Sequence, residues 1–227
     1  MKTLIVGTGI LVLVSGMGIK AEAVPTLTLS DGTNSVTVAD GGAFDTYSGQ
    51  GVVSYSGNLG PTSPFFINVT TGVSSPPLGS SGAPHLDLNS INITGVQPGV
   101  LTITFQDTFV GPLAPYVAGF ISTIGGTLAA GGQITYETFV NGQSLGSWDS
   151  ESGGSFGGSF GTSFLQDAPY YLLSEVITLS LPGGWANASF NAELQALPEP
   201  LSLLLVGTGL IGLGFLSRRR RMHKLRG

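Results

Sequence analysis

Gln133-Ile134-Thr135-Tyr136-Glu137-Thr138-Phe139-Val140-Asn141-Gly142-Gln143-Ser144-Leu145-Gly146-Ser147-Trp148 reads as two strand-like runs, 133–140 and 143–148, on either side of an Asn-Gly pair. Alternation of period two sends successive side chains to opposite faces of a strand. A two-residue type I′ turn needs positive φ at both central positions, which Asn and Gly tolerate best. The stretch therefore predicts an antiparallel hairpin.

The same pattern continues in both directions. Runs bounded by Gly, Pro, Asn and Ser stand at 26–30, 36–39, 51–56, 65–70, 85–94 and 101–109, then at 119–128, 160–166, 171–181 and 185–196. Leu101, Ile103 and Phe105 share one face of their run, opposite Thr102, Thr104 and Gln106; Ile177, Leu179 and Leu181 do the same, opposite Val176, Thr178 and Ser180. No part of this body shows an amphipathic helical period. The predicted fold is all-β, an antiparallel β-sandwich of jelly-roll or immunoglobulin-like outline, with strand order left open. Residues 72–84 and 150–163, rich in Pro, Ser and Gly, read as irregular.

Both ends differ from the body. Residues 1–23 hold Lys2, an apolar stretch from Leu4 to Ile19, and Ala21-Glu22-Ala23, a small-x-small site with cleavage expected before Val24. This is a signal peptide pattern, implying the Sec translocon and signal peptidase as partners. At the other end Leu201 to Leu216 carries no charge. As a helix it would reach about 24 Å, short against a hydrocarbon core of about 30 Å. Arg218, Arg219, Arg220 and Arg221, with Lys224 and Arg226, would stay cytoplasmic and place the body across the membrane. Pro198-Glu199-Pro200 precedes the span, and its prolines favour an extended peptide there.

Pro-Glu-Pro, a short span and an arginine cluster, in that order at the C-terminus, resemble the PEP-CTERM sorting signal of exopolysaccharide-producing, mostly Gram-negative bacteria. The resemblance covers the last thirty or so of 227 residues. It implies recognition of Pro198, Glu199 and Pro200 by exosortase, an integral-membrane cysteine protease-like enzyme that removes or exchanges the tail. Ser202 falls where that family often has a small polar residue. The expected organisation is a signal peptide at 1–23, a β-sandwich domain at 24–196 and a sorting signal at 197–227, with the motif at 198–200, a transmembrane helix at 201–216 and a basic tail at 218–226. The expected location is an inner-membrane precursor, then the cell surface or medium. An ordinary single-pass anchor is the alternative.

All eight Lys and Arg residues lie outside 24–197, whereas only Glu22 and Glu199 of the thirteen acids do. The body therefore carries eleven carboxylates and no Lys or Arg, a formal charge of −11 against −5 for the whole chain. That balance disfavours nucleic acid, whose phosphates are held by Lys and Arg, and repels acidic polysaccharide unless a divalent cation bridges the two. Cysteine is absent, which excludes disulfides, a thiol nucleophile and Cys-based metal sites.

Catalytic motifs arise only by coincidence of composition. Gly153-Gly154-Ser155-Phe156-Gly157 and Gly157 to Gly161 match Gly-x-Ser-x-Gly, but a nucleophile elbow needs a strand-to-helix turn and a later His. The only later one is His223, in the tail; His85 precedes both and reads as a strand-edge residue. Gly207, Gly209 and Gly212 have dinucleotide-loop spacing inside the apolar span, the wrong context. No cofactor is expected; Asp149 with Glu151, Asp40 with Asp45, and Asp87 near Asn89 could offer oxygens to Ca²⁺, though no EF-hand or nonapeptide spacing is present and solvated loop acids are the plainer reading. Trp148, Trp185, Tyr116, Tyr136, Tyr170 and Tyr171 are candidate sugar-stacking platforms, with core packing the commoner fate of strand aromatics. Asn68-Val69-Thr70, Asn92-Ile93-Thr94 and Asn187-Ala188-Ser189 match the N-glycosylation triplet.

Two functional classes follow. One is a non-enzymatic, C-terminally sorted surface or matrix protein associated with exopolysaccharide or biofilm. The other is a secreted carbohydrate-active hydrolase whose paired carboxylates meet only in the fold.

Overall fold

The computed structural model describes residues 24–114, 117–150, 153–163 and 169–198, with Thr208 and Leu210 beyond them, both helical. The signal peptide expected at 1–23 with Ala21 and Ala23, Tyr116, Glu151, Glu199, Pro200, the rest of the span expected at 201–216 and Arg218, Arg219, Arg220 and Arg221 lie outside these residues. Among the described residues no helix is long and apolar enough to cross a membrane.

The described residues form twelve strands: β1 (Thr26–Ser30), β2 (Ser35–Ala39), β3 (Val52–Asn58), β4 (Phe65–Val73), β5 (His85–Gly95), β6 (Gly99–Val110), β7 (Val117–Leu128), β8 (Gln133–Val140), β9 (Gln143–Ser150), β10 (Gly154–Ser163), β11 (Tyr170–Leu181) and β12 (Ala186–Pro198). They make two antiparallel six-stranded sheets, β2-β1-β6-β11-β8-β9 and β10-β7-β12-β5-β4-β3. Asn141 and Gly142, with φ of 51° and 78°, close β8 onto β9 as expected of a type I′ turn.

That turn is the tip of a longer ribbon. β8 pairs with β9, β7 with β10, β6 with β11 and β5 with β12, so the chain from 85 to 198 is one nested antiparallel ribbon. Winding it sends alternate arms to opposite sheets, and β12 against β7 and β11 against β8 close the roll. This is jelly-roll rather than immunoglobulin connectivity. The β1–β2 hairpin extends one sheet beside β6, and β3–β4 extends the other beside β5.

The inward residues expected from β6 and β11 are all buried, and they join Leu27, Leu29, Phe65, Leu86, Leu88, Ile91, Ile93 and Leu194 in one apolar layer between the sheets. The Gly/Ser run 150–163 is a correction to the expected outline. Its Phe156, Gly158 and Phe160 alternate inward as strand β10, which starts at Gly154, ahead of the expected start at 160; residues 164–166 of the expected strand lie outside the described residues. Phe156 stacks on Trp148 (5.6 Å between centroids) and Phe160 tilts against Tyr136 (5.6 Å). A methyl group at Gly158 would land on the Trp148 indole, which is why this strand reads as low-complexity: glycine is needed where a large ring crosses.

Among the described residues one carboxyl, that of Glu175, has no exposure at all. The Tyr136 hydroxyl is 2.6 Å from Glu175 Oε1 and 2.9 Å from the Glu193 main-chain oxygen. A phenol has one proton and a carbonyl can only accept, so satisfying both contacts requires Tyr136 to donate to Glu193 and a protonated Glu175 to donate to Tyr136. Burial holds the Glu175 carboxyl well above the ordinary carboxylate range, with Asp87 and Glu193 nearby adding to the rise; a bond donated by Tyr136 to the ionised carboxylate is the opposing effect, and burial outweighs it.

Because the folded state keeps this proton after the unfolded chain has lost it near 4.5, Glu175 stabilises fully below that pH and its contribution falls as pH rises toward the folded value. Glu175→Gln retains a donor to Tyr136 and cannot ionise. Thermal unfolding from weakly acid to alkaline pH should show a shallower decline for Glu175→Gln than for the wild type; parallel curves would refute a neutral Glu175.

Candidate functional site

The aromatic candidates separate by exposure. Tyr136 and Tyr171 are buried and Trp148 is half-buried against Phe156, so these three are core residues and not platforms. Tyr170 is exposed at the start of β11, opposite Val110. Trp185 is 68 % exposed and sits in the β11–β12 turn, just before the strand in which it was expected.

Its backbone makes this placement informative. Gly183, Gly184 and Trp185 have φ of 80°, 66° and 66°. For a bulky residue the left-handed region costs on the order of 1–3 kcal/mol, and an indole this exposed recovers little of it by burial. The turn is held from below: Gly184 N donates to Val96 O (3.2 Å), and a methyl group at Gly183 would come within 2.6 Å of the Gln97–Pro98 peptide. The neighbouring β5–β6 turn thus supports the conformation that lifts Trp185 out.

Trp185 stands beside Phe66 of β4, 41 % exposed, with the rings 5° from parallel and their centroids 6.3 Å apart. Beneath them register places Phe66, Thr94 and Asn187 in one row across β4, β5 and β12. Asn68 Nδ2 donates to Thr94 Oγ1 (3.4 Å), and the Thr94 hydroxyl donates to Asn187 Oδ1 (2.7 Å). Phe66, Asn68, Thr94, Trp185 and Asn187 line an open cleft of about 300 Å³. Asn68 and Asn187 begin two of the glycosylation triplets; here their side chains build the floor of the cleft. Phe66 was missed in the sequence, where its signal was the doublet Phe65-Phe66: in a strand, one of two adjacent aromatics must face outward.

The acidic candidates are dispersed. Asp40 Oδ2 accepts from Gly51 N (2.6 Å), and Asp45 accepts from Gly41 N, Tyr47 N and Ser54 N (2.9–3.0 Å), so both tie down the β2–β3 loop. Asp149 pairs in register with Thr135. Asp87 accepts from Asn89 Nδ2 (3.1 Å) and lies opposite Glu193 across β5 and β12. His85, first in β5, meets Glu193 Oε1 at 2.5 Å outside hydrogen-bond angles, an ion pair when the imidazole is protonated. Among the described residues no group of three or more His, Asp or Glu converges to hold a metal ion. Asp107, unremarked in the sequence, is buried and accepts from Ser74 Oγ (2.6 Å) and Thr108 N (2.7 Å); burial pushes its carboxyl up against these bonds, and Asp40 adds to the rise. Ser155 and Ser159 lie on strand β10, so neither glycine-flanked serine sits on a nucleophile elbow.

No protein-family model and no curated protein matches the chain. Among solved structures it is similar to the carbohydrate-binding module TmCBM61 in complex with β-1,4-galactotriose, at 8 % identity over 60 % of this chain and 90 % of that one, with a TM-score of 0.35. It is similar to the CBM36-1 domain of a multidomain xylanase from the hindgut metagenome of Trinervitermes trinervoides, at 11 % identity over 78 % and 99 % of the two chains, with a TM-score of 0.28. A third similarity is to the PA14 sugar-binding domain from an RTX adhesin, at 15 % identity over 77 % and 90 %, with a TM-score of 0.30. None of the three decides function at these TM-scores.

The two tryptophans give a direct check on the cleft. Trp148→Phe, which leaves Trp185, should emit at long wavelength and be quenched several-fold more strongly by acrylamide than Trp185→Phe, which leaves Trp148. Equal quenching would mean that the β11–β12 turn does not expose its indole.

Proposed function

We propose that this chain is an exported surface or matrix protein that binds polysaccharide through the Trp185–Phe66 cleft and does no chemistry on it. The observation that carries this reading is a pair of exposed, nearly parallel rings held beside a row of amides and a hydroxyl. Pyranose rings offer an apolar C–H face and a rim of hydroxyl groups. An aromatic face takes the first, and Asn and Thr side chains take the second.

The proposed route of this domain comes from the termini: signal peptidase removes 1–23, and an exosortase-type protease recognises Pro198, Glu199 and Pro200 and separates the body from the 201–216 span and the arginines. Pro198 is still paired with Val117 at the end of β12, and β12 is a central strand. A cut within the preceding residues would remove part of the sheet, which supports processing on the C-terminal side of Pro198.

The hydrolase reading has one observation in its favour, the Asp87–Glu193 pair facing across neighbouring strands. The His85 contact to Glu193 and the Asn89 bond to Asp87 give both carboxylates structural partners, so binding without turnover is the reading preferred.

Trp185→Ala should abolish retention of the full-length, detergent-solubilised chain on polysaccharide gels while changing stability by no more than about 0.5 kcal/mol, as an exposed residue does. Wild-type retention by this variant would defeat the proposed site. Hydrolysis of any polymer that ceases in Asp87→Asn or Glu193→Gln would favour the rival. Mass spectrometry of protein released by cells should show loss of Arg218, Arg219, Arg220 and Arg221; recovery only as the intact chain would refute sorting.

A further inference from the structure

We infer that the cleft selects uncharged glycans over uronic-acid polymers, an inference that rests on the glycan-binding reading above and names its ligand class. The hydrogen-bond chain on the cleft floor has a direction. Asn68 Nδ2 gives to Thr94 Oγ1, and Thr94 gives to Asn187 Oδ1. Those bonds use one N–H of Asn68 and the amide oxygen of Asn187. The Asn187 N–H pair is left as donor, and the Asn68 amide oxygen is left as acceptor.

A sugar hydroxyl both gives and accepts a hydrogen bond, so it is complementary to such a mixed rim. A carboxylate only accepts. It could use the Asn187 N–H groups, but against the Asn68 oxygen it meets a second acceptor with no proton between them, and that arrangement costs the desolvation of both.

Charge acts in the same direction. No lining side chain is titratable. The body that carries the cleft has no Lys or Arg to attract an anion and eleven carboxylates to repel one. On the same outer face Glu193 stands six residues along β12 from Asn187, about 20 Å at strand rise, with Asp87 opposite it on β5. A uronate polymer running down that face would meet them; a neutral polymer would not be penalised.

Affinity gels separate these cases with the full-length chain in detergent, using neutral β-glucan, galactan and xylan beside polygalacturonate and alginate at low and high salt. Neutral polymers should retain the wild type with little salt dependence, and the uronates at least about tenfold less at low salt. Asn187→Asp keeps an acceptor for the Thr94 hydroxyl and removes the N–H pair, so it should weaken neutral-polymer binding about tenfold without unfolding the chain. Trp185-dependent retention by a uronate equal to that by a neutral polymer would overturn the inference and leave the binding site standing. Unchanged binding by Asn187→Asp would overturn the donor argument in the same way. No retention by any polymer, or retention indifferent to Trp185→Ala, would remove the glycan reading and this inference with it.

Discussion

Everything in this body hangs on one apolar layer between two sheets, because the usual supplements are missing from residues 24–197. With no Lys or Arg, no carboxylate can be neutralised by a strong cation; with no Cys, nothing cross-links the sheets. Dispersion and apolar burial must then hold the sandwich, and its inner positions are accordingly filled by Leu, Ile and Phe with almost no exposure. The acids are handled one by one. Loop carboxylates accept from backbone N–H groups, Glu193 meets the one described histidine, and burial in the layer pushes Glu175 toward its neutral form.

The glycines follow from the same layer. A wound ribbon brings strand edges of opposite sheets together, and at the β9–β10 corner large rings must cross a backbone. Gly158 passes under Trp148 and Gly146 under Phe160. What looks like a flexible Gly/Ser tract is therefore a strand whose side chains are replaced by those of its neighbours. The same economy governs the cleft, where Gly183 lets one turn lie against another and so presents an indole that the core does not need.

Much of this was legible beforehand. Twelve strand-like runs correspond to the twelve strands of the described residues, ten of them differing by two residues or fewer at either end, because burial on one face of a pleated strand writes itself as period two. The exceptions have physical causes: β4 continues past residue 70 into a stretch read as irregular, and β10 hides its period because one inward position is glycine. The candidate site was half visible. Trp185 was among the platforms considered, Tyr136 and Tyr171 had equal claim and proved to be core, and Phe66, Asn68, Thr94 and Asn187 could not be joined to Trp185 from spacing in the chain.

By itself the sequence determined what depends on neighbours along the chain: strand periodicity, the Asn141-Gly142 turn, a strongly anionic body without cross-links, and the tripartite pattern at the C-terminus. The tertiary structure alone decided the jelly-roll winding, the burial of Glu175 and the gathering of three strands and a turn into one cleft. Those depend on register between segments far apart in sequence, and register is set by how inward side chains pack across the layer, which no local pattern records.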